Sequence, residues 1–232
     1  MTRPLLQLLA AYLLGAIPFA YVAGRLFKGI DIRQHGSGNV GATNVFRVLG
    51  KGPGVLVLAL DMAKGWMAAA WLPTLGAGSL LRGFVGAGAA ERPWWPCVLG
   101  LAAVLGHSYT VFLGFKGGKG VASAAGVFLG LAPQATLAVF GLFGVAFAVT
   151  RMVSVGSLLG AAALPALVLA FDEGAPASSP AALRAWSAGR WSWEARPVFW
   201  LACGLALLIW VKHIPNIKRI LAGTENRFGR KA

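Results

Sequence analysis

The stretch Gly36-Ser37-Gly38-Asn39-Val40-Gly41-Ala42-Thr43-Asn44-Val45-Phe46-Arg47 concentrates groups that could hold an anion. Gly36, Gly38 and Gly41 let backbone N–H groups converge on one point. Ser37, Asn39, Thr43 and Asn44 add neutral donors, and Arg47 adds a planar charged fork suited to phosphate. The three glycines fit a GxGxxG spacing. No strand precedes them and no βαβ unit follows, so a dinucleotide fold is not indicated. So polar a segment is unsuited to lipid and belongs inside protein or beside a wet cavity. The competing reading is a flexible loop, which would not need Asn39, Thr43 and Asn44 followed by Arg47 at helical spacing.

A second cluster runs from His107 to Phe115-Lys116-Gly117-Gly118-Lys119-Gly120. Two lysines bracket two glycines at a helix entrance, where unpaired N–H groups and the positive dipole end favour phosphate. The spacing is not that of a Walker loop. The plainer alternatives are a basic turn between spans and an interfacial histidine. A third cluster is His213-Ile214-Pro215-Asn216-Ile217-Lys218-Arg219, closing on Gly223-Thr224-Glu225. His213 and Asn216 share a face if the helix continues through them. The alternative is a basic amphipathic tail on anionic lipid. Asp61 and Lys64, three apart in an apolar run, read as a structural ion pair, since charges at that depth are costly unless paired.

The elements that must carry these residues are membrane helices. Of 232 residues 57% are apolar and 12% charged, against about 25% charged in soluble domains. The net charge of +14 is spread in short segments between apolar runs, which argues against nucleic acid and for membrane loops. Spans of about 20 apolar residues read as Pro4–Gly24, Gly54–Leu75, Trp95–Leu113, Gly120–Ala135, Thr136–Thr150, Met152–Phe171 and Val198–Lys212. The expectation is an all-α integral membrane protein of seven transmembrane helices, the two between Gly120 and Thr150 being short. Most Lys and Arg then fall on one side, which predicts the N-terminus outside and the C-terminus cytoplasmic. The first run is read as a mature helix, because no small-residue cleavage site follows it and Pro18 interrupts it. The outer segment Asp172–Arg196, with Trp186, Trp191 and Trp193, reads as an interfacial cap. Cys97 and Cys203 lie in apolar runs with no metal-ligand spacing, so neither a disulfide framework nor a metal site is expected. The whole chain, 1–232, reads as one domain.

Three pieces, in order, resemble the bacterial acyl-phosphate:glycerol-3-phosphate acyltransferases, the PlsY family. They are GSGNVGATNVFRVLGKGPG (Gly36–Gly54) with DMAKG (Asp61–Gly65), GHSYTVFLGFKGGKGVA (Gly106–Ala122) and HIPNIKRILAGTE (His213–Glu225). The resemblance implies an inner-membrane enzyme with its site facing the cytoplasm. It would move a fatty acyl group from acyl phosphate to the 1-hydroxyl of glycerol 3-phosphate, releasing lysophosphatidic acid and inorganic phosphate. This is the first acylation of phospholipid synthesis. No cofactor is implied, membrane lipid surrounds the chain, and a soluble enzyme that forms acyl phosphate is an expected partner. The HxxxxD signature of acyl-CoA enzymes is absent: Val40, Phe112 and Lys218 stand five beyond His35, His107 and His213.

On this reading Ser37, Gly38, Asn39, Gly41, Thr43, Asn44 and Arg47 meet acyl phosphate and the transition state. Lys116, Gly117, Gly118, Lys119 and Gly120, with Lys218, His213 and Asn216, meet mainly glycerol 3-phosphate. Proton acceptance falls to His213, His107 or a substrate phosphate. Acyl phosphate is reactive enough to favour direct transfer over a Ser37 acyl-enzyme. Asp61, Lys64 and Glu225 are assigned structural roles. The three clusters are expected to serve one anion-lined pocket at the inner leaflet. A transporter of a phosphorylated metabolite is the alternative class, disfavoured because the polar residues gather on one side rather than at mid-depth in matched halves. A non-enzymatic lipid-binding protein is a third.

Overall fold

The computed structural model describes residues 2–75, 94–171 and 196–229, and among these every regular element is helical. The sequence reads as one domain over 1–232; the chain divides into two compact units, Met1–Leu131 and Ala132–Ala232. The predicted interfacial cap, with Trp186, Trp191 and Trp193, lies outside the described residues.

In the first unit, helix α1 (Thr2–Ala16) stops before Pro18, which lacks an N–H and disfavours helical backbone at Ile17. Helix α2 (Phe19–Lys28) resumes the run and ends at Gly29, whose φ of 67° gives a left-handed cap with its N–H on the Arg25 carbonyl. A 3₁₀ turn (Ile32–Gln34) and α3 (Ala42–Val48) follow. Helix α4 (Lys51–Trp66) runs into a π-helical turn (Met67–Trp71) and a 3₁₀ turn at Leu72–Thr74. Then come α5 (Trp95–Ser108) and α6 (Val121–Leu131).

Two pairs of helices pack by glycine contact. A Cβ on Gly15 of α1 would overlap the Ala103 carbonyl of α5, and one on Gly106 of α5 would overlap the Tyr12 carbonyl of α1. Gly65 of α4 and Gly126 of α6 stand the same way against the Ser123 and Met62 carbonyls. Small residues that let backbones touch are how helices associate in lipid, where burial gives little driving force.

The second unit holds α7 (Pro133–Thr150), α8 (Val153–Ala170), α9 (Pro197–Lys212) and α10 (Ile214–Leu221). Helix α8 packs against both α7 and α9.

Among the described residues, five helical runs are long and apolar enough to cross a membrane: Pro4–Lys28, Lys51–Thr74, Trp95–Leu113, Pro133–Thr150 and Val153–Ala170. Pro197–Lys212 with Ile214–Leu221, bent by 57°, makes a sixth if the pair is one span. The span expected over 120–135 is the 11-residue helix Val121–Leu131. At 1.5 Å per residue it covers about 16 Å, short of a hydrocarbon core of about 30 Å. The boundary falls at Ala132, because Pro133 starts the next helix.

Candidate active site

The first glycine-rich segment is shaped from within. Gly36 and Gly38 adopt φ of 61° and 69°, so the chain reverses tightly between the 3₁₀ turn and α3. Asn44, 1% exposed, closes the reversal. Its Oδ1 accepts from the Ser37 N–H at 2.8 Å, and its Nδ2 donates to the Ile32 and His35 carbonyls at 3.2 and 3.0 Å. Asn44 therefore spends its amide on the loop's own backbone. Ser37, Gly38 and Arg47 are exposed, Asn39, Gly41 and Thr43 half-buried, and Val40 buried.

The approach to this loop is fixed by a polar tie. Arg33 grips the Asp31 carboxylate with Nε at 3.0 Å and Nη2 at 2.6 Å, and both Arg25 and Arg33 lie over the Tyr21 ring. The Arg33 hydrogen bonds hold the Asp31 carboxyl down at about 2.

The second segment folds back on the end of α5. Gly114 and Phe115 both take φ of 62°, a conformation unusual for a bulky side chain. The Phe115 N–H bonds the Thr110 carbonyl, Gly117 N–H that of Ser108, and Gly118 N–H that of His107 at 3.0 Å. The Gly117 and Gly118 amides are thus committed to backbone. Lys116 is exposed, Lys119 half-buried, and Gly120, at φ 81°, leads into α6.

The break at Pro18 is satisfied from these neighbours. The Ala16 carbonyl accepts from Thr110 Oγ1 at 2.6 Å, and the Ile17 carbonyl from Lys64 Nζ at 3.0 Å. Lys64, 2% exposed, also pairs with Asp61 Oδ1 at 2.7 Å and lies over the Phe19 ring. The same Asp61 oxygen stands 3.5 Å from His107 Nδ1. Ala16 to Phe19, Val40, Asp61, His107, Thr110, Gly117 and Gly118 line one cavity. Of the first cluster only Val40, and of the second only His107, Thr110, Gly117 and Gly118, reach this space; Ser37, Arg47, Lys116 and Lys119 are not part of its lining.

The third cluster is organised inside the second unit. The helix does not continue through His213; it bends there, and Pro215 opens α10. His213, 2% exposed, sets Nδ1 at 2.8 Å from the Ile209 carbonyl. A carbonyl only accepts, so Nδ1 carries a proton in this contact. Glu225 collects three donors. Ser154 Oγ and Asn216 Nδ2 reach its Oε1 at 2.8 and 2.7 Å, and Arg219 Nε reaches its Oε2 at 2.7 Å. Burial pushes the Glu225 carboxyl up, but these hydrogen bonds and the Arg219 charge outweigh it, and the net shift is downward. Lys218 is exposed. No group of three or more metal-ligating side chains occurs among the described residues.

The profile of the glycerol-3-phosphate acyltransferase family matches residues 5–223. The chain belongs to that family. A glycerol-3-phosphate acyltransferase of Synechococcus sp. (strain JA-3-3Ab) is 42% identical over 227 residues, covering 98% of this chain and 94% of that protein. One of Nostoc sp. (strain PCC 7120 / SAG 25.82 / UTEX 2576) is 41% identical, covering 96% and 91%. The crystal structure of PlsY (YgiH), an integral membrane glycerol 3-phosphate acyltransferase, in its glycerol 3-phosphate form matches with a TM-score of 0.74 and 38% identity. It covers 97% of this chain and 96% of that one. Its lysophosphatidic acid form matches at 0.72 and 37%, covering 97% and 95%. The protein is accordingly a membrane acyltransferase acting on glycerol 3-phosphate.

Sequence reasoning passed over several residues that build this acyltransferase's first unit. Thr110 and Phe19 close the helix break, and Asp31 ties the loop approach. Pro18 was the signal for the first two, since a proline inside a span frees carbonyls that need donors. Ser154, the partner of Glu225, carried no local signal; it lies 71 residues away in the chain.

Proposed function

We propose that this acyltransferase takes its acyl group from acyl phosphate and places it on the 1-hydroxyl of glycerol 3-phosphate, at the cytoplasmic face of a bacterial inner membrane. The hydroxyl oxygen attacks the acyl carbon, the tetrahedral intermediate expels phosphate, and the hydroxyl proton passes to an acceptor. The products are lysophosphatidic acid and inorganic phosphate. What supports this reading is that Val40 of the first segment and His107, Gly117 and Gly118 of the second line one small cavity with Asp61, while the two segments themselves carry Arg47, Lys116 and Lys119 and no Asp or Glu. The lysophosphatidic acid form of the PlsY relative supports the product.

Ser37, Gly38, Asn39, Gly41, Thr43 and Arg47 are assigned to acyl phosphate and the developing oxyanion. Lys116, Lys119, Gly120, Lys218, His213 and Asn216 are assigned to glycerol 3-phosphate. His213 is assigned as the proton acceptor of this reading, its ring oriented by the Nδ1 contact with the Ile209 carbonyl. Asn44, Gly117 and Gly118 shape the loops with groups already spent on backbone. An N-terminus outside, a C-terminus in the cytoplasm and a soluble acyl-phosphate-forming partner complete the reading.

The test is purified protein with glycerol 3-phosphate and either acyl phosphate or acyl-CoA. Lysophosphatidic acid with matching phosphate release is expected from acyl phosphate alone. Product from acyl-CoA, or none from acyl phosphate, overturns the donor assignment.

A further inference from the structure

The sequence offers His107 as a proton acceptor or as a satisfied interfacial histidine. Its surroundings favour the second. Its Nδ1 faces the carboxylate of Asp61, a residue 46 positions earlier, and that carboxylate is itself anchored by Lys64. Lys64 in turn is pinned to the Ile17 carbonyl at the helix break. The other edge of the ring is enclosed. A Cβ on Gly118 would overlap His107 Nε2 and come 3.0 Å from the Val40 carbonyl oxygen. The imidazole edge and the Val40 carbonyl therefore both abut Gly118, where the first glycine-rich segment approaches the second. All three residues and Asp61 line the cavity.

We infer that Asp61 and His107 are positioning residues: the carboxylate holds the imidazole by Nδ1–H, and the ring sets the separation of the two anion-binding loops. Gly118 is glycine because the ring occupies the place of its side chain. A carboxylate only accepts, so contact with Asp61 requires the proton on Nδ1. The rigid path from the Pro18 break through Lys64 and Asp61 gives the ring one orientation. Two loops that share phosphate ligands lose affinity when their spacing changes, and a displacement of about 1 Å can cost roughly 100-fold. This rests on the proposed reaction only for its kinetic readout.

Three variants test it. His107→Asn keeps an N–H donor near the position of Nδ1, so it should retain the Asp61 contact and a KM for glycerol 3-phosphate close to wild type. His107→Leu keeps bulk but loses the donor. Gly118→Ala pushes on the ring and on Val40 from the opposite side without touching Asp61. Both should raise that KM roughly 10- to 100-fold, with a smaller fall in kcat and an unchanged pH profile of kcat. If His107→Asn loses kcat as severely as His107→Leu and the acidic limb of the profile disappears, His107 handles the proton and the inference fails. If Gly118→Ala has wild-type KM, the ring is not a spacer and it fails again.

Stabilisation by inorganic phosphate in thermal unfolding supplies a readout that needs no turnover. Wild type should gain Tm with phosphate, and Gly118→Ala should gain much less. Equal gains overturn the inference. Absence of product from wild type would instead remove the proposed donor and leave this binding test standing. Should His107→Leu not fold, Gly118→Ala still decides.

Discussion

Asp61 sits within an apolar span at 1% exposure and answers two partners, the Lys64 ammonium and the His107 ring, on a single oxygen. Glu225 sits in the tail after α10 and divides three donors, two neutral and one Arg that is 38% exposed, between both oxygens. Each carboxylate organises side chains assigned to the proposed site, but the supports differ in kind. A buried pair in an apolar span has no water to replace a lost partner, so removing one charge strands the other. At Glu225 each bond is one of several, and Arg219 can return to water. The first hub should therefore fail as a whole and the second by degrees.

The largest expected effect follows from that contrast. Asp61→Asn keeps the shape but leaves the Lys64 ammonium buried without its counter-charge. Breaking such a pair costs about 3–5 kcal/mol, which should appear as a steep drop in Tm in detergent. A Tm at the wild-type value would show that Lys64 finds another partner, and the contrast would collapse.

Glu225→Gln should cost less. The amide has one accepting and one donating end, whereas all three neighbours donate. Either Arg219 or the Ser154–Asn216 pair then faces an N–H. Leaving one buried polar group mismatched costs about 1–3 kcal/mol. Asn216 should lose its orientation as well, so Glu225→Gln and Asn216→Ala should each lower kcat/KM, and the double variant should be little worse than either. Additive losses would mean that Glu225 does not act through Asn216.

Much of this arrangement was readable from residue types and spacing, and the misses share a cause. The glycine-rich segments, the flanking cations and the Asp61–Lys64 spacing are local, and short-range rules reach them. Asn44 read as a ligand for substrate, because its inward role depends on the positive φ at Gly36 and Gly38 turning three backbone groups toward it. Gly117 and Gly118 read as amide donors, because nothing local shows that the loop doubles back onto His107 and Ser108. His107 as the second partner of Asp61 is a contact across 46 residues, which periodicity cannot supply. The bend at His213 follows from Pro215, yet composition alone did not choose between a bend and a continuous helix.

Acid separates the hubs further. The Glu225 carboxyl titrates below its ordinary 4.5, so its contribution is complete above that pH and is lost as pH falls through the depressed value. Thermal stability should hold from neutrality to about 4.5 and decline below it, insofar as Glu225 governs it. Glu225→Gln should remove that part of the decline. An unchanged acid limb in the variant would assign the loss to other carboxyls.

The smallest effect is expected at Asp31. Its partners Arg33 and Arg25 are 39% and 49% exposed, so water and salt screen the pair. Asp31 also accepts from the Arg33 N–H to start the 3₁₀ turn, a task an asparagine side chain performs as well. Asp31→Asn should leave Tm at neutral pH unresolved from wild type. The carboxyl titrates at about 2, against an ordinary 3.8, so what it contributes is lost between those values as pH falls. The variant should therefore differ from wild type only in the shape of the acid limb below 3.8. A neutral-pH loss as large as that of Glu225→Gln would mean that the Arg25–Tyr21–Arg33 stack depends on this carboxylate, and that exposure of the arginines is a poor guide to how much they hold.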